Sequence, residues 1–165
     1  MDMTDATVKT LVTYFSATGT TREVAERLAK AAGADLAEIK AADDYTPADI
    51  DWRDESSRCY VEHLHREMRP ELAADAPSAE GYDVVFVGYP LWWETAPRVV
   101  RTWLEAQDWA GKTIVTFATS LTSTRGADST QLHDSAPAAR WGAGRRLAAN
   151  ATETQLRNWV DSLGL

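Results

Sequence analysis

The chain has 165 residues, 44% of them hydrophobic and 9% aromatic, and a formal net charge of −8. That length suffices for one well-covered core but not for two comfortable domains, so we expect a single domain over residues 1–165. The charge disfavours nucleic acid and membranes as partners. The chain has no long apolar run, and its first residues are acidic rather than basic and then apolar, so we expect neither a membrane span nor a signal peptide, and we expect a cytoplasmic protein.

The first predicted unit is a strand, a short loop and a helix. Residues 8–15 are rich in β-branched and aromatic side chains, as in a buried strand, and residues 20–31 repeat apolar side chains at helical spacing. The loop between them, Ser16 to Thr21, contains only small and hydroxylated residues, and Thr20-x-x-Glu23 predicts a capping box. Because unpaired N–H groups at a helix N-terminus favour an anion, this junction predicts a phosphate site.

The composition of this first loop narrows the kind of phosphate it would bind. The loop holds no lysine or arginine, unlike a P-loop, so a single terminal phosphate held by uncharged donors fits better than a nucleoside triphosphate. Loops of serine, threonine and glycine also serve merely to cap a helix. The residues alone leave both readings open.

The next part of the chain is polar. Residues 35–40 alternate weakly, as in a strand at a sheet edge. Residues 41–80 form a long polar connection or insertion, with a turn at Tyr45-Thr46-Pro47 and a helix that Asp54 would cap and Arg69-Pro70 would end. The apolar face of that helix would consist of Val61, Leu64 and Met68.

Two further strands each lead into a loop of functional interest. Residues 82–88 are almost continuously apolar, as in a parallel strand buried on both faces, and they continue into a loop with two adjacent tryptophans. A helix follows from about Ala96. Residues 113–118 form the next apolar strand, and residues 119–126 make a second hydroxyl-rich loop directly after it.

The C-terminal part has weaker signals until its last helix. Residues 127–133 predict a short helix and residues 138–141 a last strand. The final helix is marked by the capping box Thr152-x-x-Gln155 and by an apolar stripe of Leu156, Trp159, Val160 and Leu163.

Strands that alternate with helices predict an α/β fold with a three-layer, doubly wound parallel sheet, which binds ligands beyond the carboxyl ends of its strands. Phosphate donors, two indoles and a hydroxyl-rich loop would meet there, so we expect an aromatic heterocycle that carries a phosphate. The indoles of Trp92 and Trp93 can alternatively belong to the core. Since adjacent residues point in different directions, we expect at least one of them to contact the ligand.

The chain resembles the flavodoxins, and among them proteins whose second loop reads Gly-Tyr-Pro-x-Trp-Trp, here residues 88–93. The resemblance extends over most of the chain, through the Ser-x-Thr-Gly-Thr-Thr loop, Tyr45-Thr46, Arg69-Pro70-Glu71 and Thr119-Ser120. It implies a five-stranded parallel sheet in the order 2-1-3-4-5 and FMN bound without a covalent link. The cofactor-binding residues that it implies are Ser16, Ala17, Thr18, Gly19, Thr20 and Thr21 at the phosphate, Pro90, Leu91, Trp92, Trp93, Glu94 and Thr95 beside the isoalloxazine, and Thr119, Ser120, Leu121, Thr122 and Ser123 along its pyrimidine edge.

Two departures from the family pattern affect these expectations. Relatives usually have Thr-Ser-Gly-Gly-Ser-Gly in the third loop, where this chain has non-glycine residues at 121–124. In flavodoxins a second-loop peptide reverses its carbonyl when the flavin is reduced, and here that peptide would join Trp93 to Glu94. Because positive φ costs a non-glycine residue about 1 kcal/mol or more, we expect this reversal to be restricted, which favours two-electron transfer. We also expect Trp92 to stack on the flavin and Trp93 to turn into the protein.

Three functions are compatible with these residues. The first is an electron carrier that docks on a redox partner protein, which the net charge favours. The second is a reductase that takes hydride from NAD(P)H and reduces a quinone or another small acceptor, which the double tryptophan and the 41–80 insertion favour. The third is an interaction protein that has lost the flavin, which the missing glycines favour. In each case we expect a monomer or a weak dimer, with no metal site and no catalytic side chain.

Overall fold

The computed structural model describes residues 7–120 and 123–165. Its sheet is parallel, with the spatial order β2-β1-β3-β4-β5, so the order predicted from the resemblance is confirmed. The strands are β1 (Thr10–Tyr14), β2 (Asp35–Glu38), β3 (Val84–Pro90), β4 (Thr113–Thr119), β5 (Arg140–Trp141) and β6 (Arg145–Arg146).

Strand β6 was not predicted, and it shares one edge of β4 with β5. β5 pairs with the amino end of β4, and β6 pairs with its carboxyl end. Between them Gly142 and Gly144 lie against β4, because a Cβ on Gly144 would be 2.0 Å from the Thr116 hydroxyl and one on Gly142 would be 2.9 Å from Val115 Cγ2. The two short strands therefore form one interrupted edge strand that only glycine allows to pass this close.

Helices cover both faces of the sheet, which confirms the three-layer architecture. The helices are α1 (Thr20–Ala32), α2 (Arg58–Leu64), α3 (Arg98–Glu105) and α4 (Glu153–Ser162), and Thr130–Ser135 is a 3₁₀ helix. One face of the sheet packs against α1 and α4 through a cluster that includes Val12, Phe86 and Trp159, and the other packs against α3 around Trp103. Within the described ranges, no helix is both long and apolar enough to cross a bilayer.

Two predicted helix starts differ from the structure. The N-cap of α1 is Gly19 at φ 97°, so the predicted Thr20-x-x-Glu23 capping box is wrong. The N-cap of α2 is Ser57 and not the predicted Asp54, because the Asp54 carboxylate already accepts hydrogen bonds from the amide and hydroxyl of Ser56. The Thr152-x-x-Gln155 capping box of α4 is present as predicted.

The ends and faces of two short helices also differ. α2 stops at Leu64, whose side chain is 62% exposed, so the predicted apolar face is wrong at this position. The predicted helix over 127–133 is instead the 3₁₀ helix that starts at Thr130. It starts late because Ser129 has φ 74° and the Asp128 carboxylate accepts hydrogen bonds from Thr130.

Candidate functional site

The three predicted loops meet at one edge of the sheet, because β3 is hydrogen-bonded to both β1 and β4 and all three strands run parallel. Two contacts join the loops directly. The hydroxyls of Thr21 and Thr119 lie 2.7 Å apart, and the Leu91 amide donates to the Thr119 carbonyl at 3.0 Å. The carboxyl edge thus holds one continuous candidate site.

The backbone of the first loop presents unpaired donors. Gly19 adopts φ 97°, and no described atom lies within 4 Å of where its Cβ would be, so the space beside it is open. Amides at a helix N-terminus attract anions because the helix dipole places positive charge there. No described residue accepts a hydrogen bond from the amides of Ala17, Thr18, Thr20 or Thr21.

Some hydroxyls of the first loop can still donate to a ligand, whereas that of Thr21 is already hydrogen-bonded within the protein. Ser16 Oγ accepts from the amides of Gly19 at 3.1 Å and Arg22 at 3.2 Å, which leaves its own proton available for an anion. Thr18 and Thr20 are exposed. The hydroxyl of Thr21 is buried on Thr119, so this side chain joins two loops rather than facing a ligand.

The charge nearest to the first loop is already paired. The Arg22 guanidinium donates to both carboxylate oxygens of Glu38, each at 2.9 Å. These two residues line a cleft of about 310 Å³ that also contacts Ser16, Ala17 and Tyr45. The donors left for an anion are therefore uncharged, as the sequence predicts.

The second loop is a tight hairpin. The amide of Trp92 donates to the Thr95 carbonyl at 2.9 Å, and the amide of Thr95 donates back to the Trp92 carbonyl at 3.1 Å. Its two central residues have positive φ, 50° at Trp93 and 62° at Glu94, which is the pattern of a type I′ turn. Both residues thus already adopt the costly positive φ from which we inferred a restricted reversal of this peptide, and that restriction stays a prediction.

Trp92 rests on an aromatic cluster that joins the first loop to the 41–80 segment. Its ring meets Phe15 edge-to-face at 5.7 Å and Tyr45 at 5.6 Å between centroids. The Tyr45 hydroxyl donates to Glu62 Oε1 at 2.6 Å. Burial raises the pKa of Tyr45 well above its usual value, and the Glu62 carboxylate raises it further, so this hydroxyl stays protonated.

Trp93 rests on α2. Its ring stacks on the His63 imidazole with centroids 4.5 Å apart and planes inclined by 12°. The Arg98 guanidinium, which is buried, donates to the carbonyls of Glu62 and His63 at the end of this helix. Burial, and secondarily the charge of Arg98, lowers the pKa of His63, so the stacked imidazole is neutral at pH 7.

Both indoles are half-buried and border a cavity of about 260 Å³, together with Leu91 and Trp52. The 41–80 segment, to which Trp52 belongs, thus lines this cavity together with the second loop. Which indole stacks on a ligand stays a prediction.

The third loop is held from the edge strand. The Ser120 hydroxyl donates to the Ser123 carbonyl at 2.5 Å, and the Arg146 guanidinium donates to the Ser120 carbonyl at 2.8 and 3.1 Å. The predicted site residues Leu121 and Thr122 lie outside the described residues. Arg146 was missed because it lies on β6, which is too short to show an alternating pattern.

Two more residues were missed at the junction of the second and third loops, Gln131 and Gly126. The Gln131 side chain contacts both loops, and Gly126 lies directly under the Glu94 carbonyl. The sequence signal was weak, since Gly126 only marks the end of a hydroxyl-rich loop and Gln131 is one polar residue of a short helix.

Comparisons with known proteins agree with this fold. The chain matches the family model described as flavodoxin over residues 9–163. It is 43% identical to a protein of Bacteroides eggerthii assigned as a flavoprotein, with a TM-score of 0.89 over 96% of this chain and 99% of that one. It is 40% identical to a Bacteroides uniformis protein with the same assignment, with a TM-score of 0.87 over 93% of this chain and 98% of that one.

A more distant structure has the same fold. The flavoprotein of Lactobacillus acidophilus in complex with FMN is 19% identical, with a TM-score of 0.67 over 96% of this chain and 100% of that one. No curated protein matches the chain.

Proposed function

Because this chain belongs to the flavodoxin family, we propose that it transfers electrons through FMN bound without a covalent link. FMN is the cofactor of the Lactobacillus acidophilus flavoprotein, which has the same fold, and it is the cofactor we assign here. When bound, FMN supplies the redox chemistry, since it exchanges one or two electrons.

The observation that carries this proposal is the set of unpaired donors at the start of α1. A phosphate monoester presents strong acceptor oxygens, and the free amides of the first loop with the Ser16 hydroxyl are donors at a helix N-terminus. The loop itself has no lysine or arginine and the neighbouring Arg22 is paired with Glu38, so the donors offered to the phosphate would be uncharged. The residues present therefore fit the phosphate.

The second and third loops fit the flavin ring. Pro90 to Thr95 would flank it, with the half-buried indoles of Trp92 and Trp93 as apolar surfaces. Ser120 and Ser123 would lie along its pyrimidine edge, and Thr119, whose hydroxyl is hydrogen-bonded to Thr21, would join the third loop to the first. The electron donor and acceptor that we propose are a redox partner protein, or NAD(P)H with a small acceptor.

The shape of the second loop favours a second candidate, an NAD(P)H-dependent reductase of quinones or similar acceptors. Reversal of the Trp93–Glu94 peptide would convert the type I′ turn into type II′, whose first central position favours glycine. Trp93 occupies that position, so the turn is confined to one form. A loop that cannot adjust between redox states favours transfer of two electrons together.

The test is reconstitution of the purified protein with FMN, followed by fluorescence titration. Replacement of Thr18 and Thr20 by valine should weaken FMN binding by roughly 5- to 150-fold, which corresponds to about 1–3 kcal/mol for unpaired phosphate oxygens. The matched control is Thr154→Val, an exposed threonine on α4.

A wild-type protein that stays colourless and does not take up FMN would refute the proposal and favour the non-redox alternative. Unchanged affinity in the double variant would instead remove the two hydroxyls from the site. Oxidation of NAD(P)H by the loaded protein with a quinone acceptor separates the reductase from the carrier.

A further inference from the structure

One side chain that belongs to neither loop joins the second loop to the third. Gln131 Oε1 accepts from the Ala96 amide at 2.8 Å and from the Thr95 hydroxyl, and its Nε2 donates to the Gly126 carbonyl at 2.5 Å. We propose that Gln131 is a positioning residue that holds the Trp92–Thr95 hairpin on the third loop, in the shape that receives the flavin. This inference rests on the FMN binding proposed above.

The contacts of Gln131 require a primary amide. The Ala96 amide needs an acceptor and the Gly126 carbonyl needs a donor, and the two ends of a glutamine side chain supply one of each. An ionised carboxylate can only accept, and a thioether of similar length offers no donor at all. The pattern also fixes which end of the amide faces which loop.

Gly126 provides the surface on which the hairpin rests. It has φ +83°, and a Cβ at this position would be 1.9 Å from the Glu94 carbonyl oxygen. Its own carbonyl accepts hydrogen bonds from Gln131 and from the Tyr89 hydroxyl, the latter at 2.9 Å. The Gly126 carbonyl thus links the third loop to Tyr89 of β3 and, through Gln131, to the hairpin.

Gln131 is itself anchored in the core. Its backbone carbonyl accepts a hydrogen bond from the guanidinium of Arg101, which is only 5% exposed, and the next residue, Leu132, is fully buried. A long polar side chain loses conformational freedom when it makes fixed contacts, and an anchored backbone reduces that cost. Gln131 therefore transmits a position set by the core to the hairpin.

The hairpin needs such support because its conformation is strained. Trp93 and Glu94 both have positive φ, which is unfavourable for residues other than glycine, so an isolated hairpin would adopt other shapes. The contacts of Gln131 with Thr95 and Ala96 lie at the base of the hairpin, where they oppose that relaxation.

The experiment compares Gln131→Met with a matched glutamine elsewhere. Gln107 also bridges two backbone groups, since its Oε1 accepts from the Ala79 amide at 3.0 Å and its Nε2 donates to the Trp103 carbonyl at 3.4 Å. In the FMN-free protein, Gln131→Met should accelerate hydrogen exchange of the Ala96 amide about tenfold, and Gln107→Met should not. In FMN titrations, Gln131→Met should bind about tenfold more weakly than Gln107→Met.

A second variant keeps the proposal testable should Gln131→Met fail to fold. Gln131→Glu retains the acceptor for Ala96 but faces the Gly126 carbonyl with a carboxylate, which can donate only when protonated. Its FMN affinity relative to that of the wild-type protein should therefore recover as the pH is lowered. A merely space-filling role would show no such recovery.

An Ala96 amide that exchanges at the wild-type rate in Gln131→Met would overturn the proposal. So would faster exchange accompanied by the FMN affinity of Gln107→Met, or, in Gln131→Glu, a relative affinity that does not change with pH. A wild-type protein that binds no FMN would instead refute the proposed function and this proposal with it. FMN binding by the wild-type protein is therefore measured before any variant is compared.

Discussion

Replacement of Gly126 by alanine should damage the candidate site through one contact. The new Cβ would be 1.9 Å from the Glu94 carbonyl oxygen, whereas real Cβ contacts are not shorter than 3.0 Å. The hairpin or the third loop must therefore shift by about 1.1 Å, the difference between these distances. Such a shift breaks the alignment of Gln131 with Ala96, which we expect to cost about 1 kcal/mol beyond the backbone strain.

Gly81→Ala is the matched control. Gly81 has φ +84°, almost the same as Gly126, but no described atom lies within 4 Å of its ideal Cβ position. Both variants should lose about 1–2 kcal/mol of unfolding free energy because alanine disfavours this φ, and Gly126→Ala should lose about 1 kcal/mol more because its Cβ collides with the Glu94 carbonyl. Only Gly126→Ala should in addition bind FMN about tenfold more weakly, as measured by fluorescence titration.

The comparison has a clear negative outcome. If Gly126→Ala and Gly81→Ala bind FMN equally tightly and unfold at the same denaturant concentration, the Glu94 contact does not determine the shape of the site. The position of the hairpin on Gly126 would then have no effect on flavin binding.

The tryptophan pair, His63 and the Trp93–Glu94 peptide each allow a further test. Trp92→Ala should weaken FMN binding more than Trp93→Ala, with circular dichroism as the check on folding, and the reverse order would exchange their roles. Because burial lowers the pKa of His63 from 6.5, the unfolded chain binds its proton more readily, so the stability contributed by the neutral ring should be present above pH 6.5 and be lost as the pH falls from there towards the lowered pKa. His63→Gln should flatten this part of the pH dependence of Tm. During stepwise photoreduction both electrons should enter at nearly the same potential, and Trp93→Gly, but not Trp93→Ala, should separate the two potentials, because only glycine allows the reversed turn.

Much of the fold could be predicted because it depends on local patterns. The three central strands are buried runs rich in apolar and β-branched residues, and burial on both faces of a parallel sheet favours such runs. The sheet order came from the resemblance of the loops, not from periodicity. The short elements were missed or displaced, since residues such as Ser57 and Asp54 compete for the same cap and only tertiary contacts decide between them.

The site was predictable to the extent that single loops define it. The donors that make the first loop a candidate anion site can be read from its own residues, except that the hydroxyl of Thr21 is hydrogen-bonded to Thr119, 98 positions away. The contacts of Trp92 with Tyr45 and of Trp93 with His63 could not be predicted, because both partners lie in a polar segment with few apolar residues. Contacts between distant loops leave no periodic signal in a single sequence.

The strain at Trp93 and Glu94 connects the structure of the second loop to its chemistry. Such strain persists only where surrounding contacts over-determine the conformation, and here Gln131 and the surface of Gly126 provide them. The stacking of Trp93 on His63 holds the tip of the hairpin in the same way. A hairpin fixed at both its base and its tip would present the same groups to the flavin before and after reduction. The rigidity from which we infer two-electron transfer would therefore arise from the contacts around the hairpin, and not only from its missing glycine.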